Sequence, residues 1–179
     1  GVQTCALPIY DFRGMNNIEL LNQLERDFKN IKEGEKITLD SKVFIPLYSS
    51  LVRSGKEINK YLRKIDLSNI DFYNLSVIGV DFNGTNAKIN PQMVLLKSLY
   101  KTNLEGMDLS SYSFEDVDIR YANLKNTNAN IVLRQLKILS VAGANLIGTN
   151  IDFDDIKYID IEKTIFDEKD TLKVKELIK

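Results

Sequence analysis

Arg53, Lys56, Lys60, Arg63 and Lys64 stand at three- and four-residue steps, so a helical backbone brings five cations to one face. Such a face suits phosphate or an acidic protein partner. No aromatic stacking residues and no glycine-rich cradle accompany it, and the solvated face of a covering element accounts for the same pattern. These five are the weak partner-binding candidates of the chain. A second cluster, Asp152, Asp154 and Asp155 in DFDD, suggests a hard cation. It lacks the spaced oxygen ligands, the glycine and the closing glutamate of a calcium loop, so no metal is assigned to it. Histidine is absent and the one cysteine is Cys5, which removes the commonest general base and metal ligand. No P-loop, dinucleotide fingerprint or nucleophile elbow is present. The expectation is a protein that is not an enzyme, with no catalytic residue and no cofactor.

Cys5 is itself discounted. It lies in GVQTCALPI, residues 1–9, an apolar run with no positive flank ahead of it and therefore no signal peptide. The codon string GGA GTT CAG ACG TGT GCT CTT CCG ATC encodes these residues, and it is similar to the adapter oligonucleotide ligated to fragments for short-read sequencing. Residues 1–9 are read as a translated adapter, with the true N-terminus missing, and are left out of fold reasoning.

The chain of 179 residues is 44% apolar and 27% charged, which is ordinary for one domain with a sizeable core. No apolar run approaches the roughly 18 residues of a membrane span. With 24 basic and 25 acidic residues the net charge is −1, so bulk charge makes no case for nucleic acid or an anionic membrane. A cytoplasmic protein with an unknown protein partner, no membrane and no direct nucleic-acid contact is expected.

The elements that position these side chains emerge from an internal repeat. Every fifth residue is large and apolar in three blocks. The first is Leu62, Leu67, Phe72, Val77 and Phe82; the second is Leu99, Leu104, Leu109, Phe114, Ile119 and Leu124; the third is Val141, Leu146, Ile151, Ile156, Ile161 and Phe166. Two residues before each stands a second small or apolar side chain, such as Ile65, Ile70, Val80, Val117 or Ala122, and Asn or Asp often stands directly before the central residue, as at Asp81, Asn103, Asn123 and Asn145. A period of five fits neither the helix nor a continuing strand. It fits a short extended segment that puts both apolar residues on one side and then turns, with Gly, Asn, Ser and Asp at the corners. Four such sides close a square coil whose apolar residues form an internal column. The second block begins at Leu99 and the third at Val141, 42 residues on, each preceded by a 12-residue interruption. Two coils per 42 residues, with a two-residue bulge, account for that super-repeat. Tyr73, Tyr100, Tyr121 and Tyr158 fall at outward positions, where exposed aromatics anchor a protein partner or stand singly without a role.

The segments IDLSNIDFYNL, TNLEGMDLSSYSFEDVDIRYANLKNTNA and GANLIGTNIDF resemble the pentapeptide-repeat proteins, and ANLKN and ANLIG match the loose consensus Ala-(Asn/Asp)-Leu-X-X in full. The resemblance implies a mainly β fold, a right-handed four-sided β-helix solenoid of about five coils over residues 61–168. Asp154 departs from the pattern, standing where a small inward side chain belongs.

An open end of such a column needs covering. Residues 10–60 are expected to be a helical N-terminal cap, with Ile18, Leu21, Leu24, Phe28 and Ile31 as the apolar stripe of its first helix and Asn16 or Asn17 as its N-cap. Residues 169–179 are expected to form a short C-terminal helix offering Leu172, Leu177 and Ile178, through which dimerisation is left open. The functional expectation is a non-catalytic scaffold for protein–protein interaction. An alternative implied by the resemblance is a DNA-mimicking DNA gyrase-binding protein of the quinolone-resistance type. Residues 61–168 carry 15 acids and 11 bases, a mixture that speaks against imitation of a phosphate backbone. A further alternative is a fragment whose activity lies in a missing domain.

Overall fold

The computed structural model describes residues 14–54 and 58–179. Residues 1–9, with Cys5 and the adapter reading, and Lys56 lie outside the described residues. Two compact units emerge: one contains the described residues up to Asp71 together with Gly84–Lys88, the other Phe72–Asn83 and Ile89–Lys179.

The first unit is helical. Asn16 opens α1 (Asn17–Asp27) through a reciprocal capping box: its side chain accepts from the amides of Ile18 and Glu19, both at 3.0 Å, and Glu19 Oε2 accepts from the Asn16 amide at 3.1 Å. The buried stripe is Leu20, Leu24 and Phe28. Ile18 is 71% exposed and Leu21 half-buried, so the helix faces its core about one residue away from the expected stripe. Helix α2 (Ser41–Ser54) buries Phe44, Leu47, Tyr48 and Leu51, a three- and four-residue spacing that keeps one face apolar. Asp40 starts it, accepting from the Lys42 amide at 2.7 Å. After α3 (Asn59–Leu62), strand β2 (Ile65–Asp66) pairs in parallel with β1 (Ile37–Thr38).

The second unit is organised by pairing between residues about twenty apart. Isolated parallel bridges join Asp81 to Asn103, Asn103 to Asn123, Asn123 to Asn145 and Asn145 to Ile165. Their offsets alternate between 22 and 20 residues, so two successive passes span the 42-residue period of the sequence. Ser98 pairs with Asp118, and Ser140 with Asp160, in the same manner. Only β3 (Asn130–Val132) and β4 (Asn150–Asp152) form a continuous parallel pair. Helix α4 (Glu168–Leu177) follows.

The expected mainly β class is corrected by these elements. The described residues hold more helix than strand: helices of 11, 14, 4 and 10 residues stand against strands of two or three. The sheets are two separate two-stranded pairs, and no sheet closes among the described residues. The chain is therefore neither a β-helix nor a solenoid of sheets. The physical reason is the turns. Asn74, Lys101, Asp116, Tyr121, Asn126, Asn128, Asp155 and Lys163 all carry positive φ, so extended backbone is interrupted after one to three residues and a ladder has no room to grow.

Leu62, Leu67, Phe72, Val77, Phe82, Leu99, Leu104, Leu109, Phe114, Ile119, Leu124, Val141, Leu146 and Ile156 are buried. Ile151, Ile161 and Phe166 are half-buried. Near DFDD the phase changes: Phe153 turns inward at 5% exposure, and Asp154 points out to pair with Arg134 at 2.9 Å. Burying the ring in place of the carboxylate removes the cost of an unpaired internal charge. In α4 the inward residue is Val174, whereas Leu172, Leu177 and Ile178 are exposed. Among the described residues, no helix is long and apolar enough to cross a membrane.

Candidate interaction surface

The basic residues of the first unit do not share one described helix. Arg53 lies in α2, Lys60 in α3, and Arg63 and Lys64 follow the end of α3. Arg53, Lys60 and Lys64 are each engaged locally. Arg53 Nε donates to the Ser49 carbonyl at 3.1 Å, Lys60 Nζ pairs with Glu25 Oε1 at 3.3 Å, and Lys64 Nζ donates to the Phe28 carbonyl at 3.1 Å. The guanidinium of Arg63 runs beside Gly84. Glu25 is the hub of a small network, since Tyr61 Oη also donates to its Oε1, at 2.6 Å. The Tyr61 hydrogen bond and then Lys60 hold the Glu25 carboxyl below the ordinary carboxylate range. Burial, followed by the bond to Glu25, raises the Tyr61 phenol. An open groove of about 380 Å³ runs past Ile18, Leu21, Glu25, Leu51, Lys60 and Tyr61.

The acidic run of the second unit borders an open groove of about 420 Å³ with Phe153, Lys157, Lys173 and Leu177. Asp154 is held by Arg134, and the Asp152 carboxylate accepts from the Asp154 amide at 2.9 Å. Among the described residues, no three His, Cys, Asp or Glu side chains are gathered to hold a metal ion.

The most ordered polar surface is the series Asp81, Asn103, Asn123 and Asn145. Each side chain accepts from the amide two residues on, at 3.0, 3.1, 3.2 and 3.3 Å, closing a local turn. Asn103 Nδ2 also donates to Asp81 Oδ1 at 2.8 Å, and Asn123 Nδ2 to Glu105 Oε2 at 3.1 Å. Lys125 pairs with Glu105 at 3.1 Å. These side chains are consumed in holding the passes together.

A different corner is freer to meet a partner; the five-residue spacing marks its tyrosines, Tyr100 and Tyr121, as outward but does not show that they stack. Gly79, Lys101, Tyr121, Gly143 and Lys163 all adopt left-handed conformation, with φ of 71, 57, 59, 67 and 58°. They stack pass on pass: the amides of Gly79, Lys101, Tyr121 and Gly143 donate to the carbonyls of Tyr100, Arg120, Ala142 and Glu162 at 3.0, 3.2, 2.9 and 2.7 Å. The Tyr100 and Tyr121 rings meet edge to face, with centroids 5.4 Å apart and planes at 74°. Lys101 Nζ and the Arg120 guanidinium lie 5.3 and 5.5 Å from the Tyr100 centroid. Arg120 is fixed by a two-point pair with Asp118, Nε to Oδ1 at 3.0 Å and Nη2 to Oδ2 at 2.9 Å. Burial works to raise the Asp118 carboxyl, but the side-chain and backbone hydrogen bonds from Arg120 outweigh it and hold the group below the ordinary carboxylate range. Tyr121 lies across Gly143 so closely that a Cβ there would collide with its ring. The sequence carries a general turn signal: glycine occupies the position two residues after an inward residue five times, following Val77, Phe82, Leu104, Val141 and Leu146, and two of these, Gly79 and Gly143, fall in this column.

Of the outward tyrosines, Tyr73, Tyr121 and Tyr158 are 62%, 47% and 67% exposed, and Tyr100 is half-buried beneath its cations. No protein-family model matches the chain, and no curated protein matches it significantly.

Proposed function

We propose that the chain is a non-catalytic scaffold of the pentapeptide-repeat kind, which binds a protein partner through outward side chains of its second unit in the cytoplasm. The observation that supports this reading most directly is the alternation of 22- and 20-residue offsets, which sets outward residues in repeating columns with fixed separations. A surface ordered before binding loses little conformational entropy on association. The absence of histidine from the sequence supports a binding role over acid–base catalysis.

The test is isolation of a stoichiometric complex with a cellular protein by the intact chain, followed by charge reversal of outward residues one column at a time. The scaffold reading expects one column to weaken the complex while circular dichroism stays unchanged. A complex that no outward substitution weakens, or the failure to isolate any partner, sinks it.

A further inference from the structure

We infer that the left-handed corner from Lys101 to Lys163 is the docking strip, and that it takes an extended acidic segment of the protein partner; the inference rests on the scaffold reading above. The strip carries a cation at each end and an aromatic plate between them. At one end Lys101 is exposed, lies over the Tyr100 ring and pairs with no acid among the described residues. Beside it Arg120, whose side chain is 34% exposed, pairs with Asp118, whose side chain is only 9% exposed, so the part of that pair which meets solvent is mainly the cation. At the other end Lys163 shares its charge with Glu162 at 3.1 Å, and both side chains are more than two-thirds exposed. A pair so open to water is worth little and yields readily to a competing carboxylate. Tyr121, spread over Gly143, fills the two passes between.

The spacing sets what fits. Lys101 and Lys163 are three passes apart, about 14 Å at the usual distance between paired segments. An extended peptide advances about 3.3 Å per residue, so two acids four residues apart reach both cations. An aromatic or apolar residue midway between them meets the Tyr121 ring. A single-stranded nucleic acid fits less well. It carries a phosphate at every nucleotide, whereas the strip offers cations only at its two ends and sets Asp160 and Glu162 beside one of them, so only a ligand with few, spaced charges can avoid the acids.

The probe is a short fluorescent peptide with two glutamates four residues apart around a tyrosine, titrated into the full chain by anisotropy. Its glutamine twin and an oligothymidine of equal length are run beside it. The expected outcome is binding with a Kd of about 1 mM or tighter for the glutamate peptide alone. The double substitution Lys101→Gln and Lys163→Gln, with an unaltered circular dichroism spectrum, weakens it about tenfold. Absence of binding, equal binding of the glutamine twin, tighter binding of the oligothymidine, or indifference to the double substitution overturns the inference. A natural partner held with unchanged affinity by the double variant also overturns the strip, and leaves the scaffold reading standing with its contact on another column.

Discussion

The two units solve the same problem, burial of an apolar face, with interactions of different range. In the first, Asn16 caps through residues two and three places on, and Gln23 Nε2 donates to Asp27 four places on. In the second, the amides of Phe82, Leu104, Leu124 and Leu146 each donate to a carbonyl on the next pass, at 2.9, 2.9, 2.9 and 2.8 Å. Helical order is therefore set within a turn of chain, whereas order in the second unit depends on residues one pass away. A lesion at the cap of α1 stays local; a lesion in the passes is felt above and below it.

The sharpest attempt to break that comparison is Leu124→Asp. Leu124 is fully buried between the passes of Leu104 and Leu146, and an unpaired carboxylate there costs about 4 kcal/mol or more. Hydrogen exchange should lose protection at Leu104 and Leu146 as well as at Leu124. Retained protection at Leu104 would show the passes to be independent. Next in size is Gly143→Ala, which meets the Tyr121 ring and also imposes a side chain on a φ of +67°. A loss of about 3 kcal/mol is expected from overpacking and left-handed strain together, read as a lower urea midpoint at constant slope. Asn16→Ala sets the local side of the comparison, with an expected cost of about 1 kcal/mol and faster exchange confined to the first turn of α1. Exchange that also quickens in the passes would contradict a local lesion.

The smallest effect concerns pH. Tyr61, then Lys60, hold the Glu25 carboxyl below its ordinary value in the folded protein. Its stabilisation is present above the unfolded carboxylate value and is lost as pH falls through the lower folded one. Glu25→Gln should flatten the acid limb of the stability curve of the first unit, with little change near neutrality. An unaltered acid limb removes Glu25 as a contributor.

How far the molecule was legible follows from the same difference in range. The five-residue period picks out side chains that must face inward, and it locates the buried series from Leu62 to Leu146 because burial depends on local alternation. The same period says nothing about how long the backbone stays extended between turns. That length decides fold class, and left-handed residues such as Lys101, Asp116 and Tyr121 shorten it. For α1, Asn16 is a strong cap signal, yet the apolar residues surround enough of the helix that Ile18 and Leu21 look as inward as Leu20. The five cations looked continuous because their spacing assumes one helix, and α2 ends at Ser54. The tyrosine corner needed the pass offsets: Tyr121 and Gly143 are 22 residues apart, and only pairing lays the tyrosine ring across the glycine.

The alternation of 22 and 20 also prescribes how the molecule tolerates changes in length. A tandem copy of 42 residues adds one pass of each kind and returns every corner to its own column, lysine over tyrosine over glycine. A copy of 20 or 22 alone puts two like passes in succession and breaks the phase of the bulges. Growth of the second unit by duplication is thereby quantised in pairs of passes, and an engineered tandem insertion of 42 residues should fold where one of 20 or 22 does not.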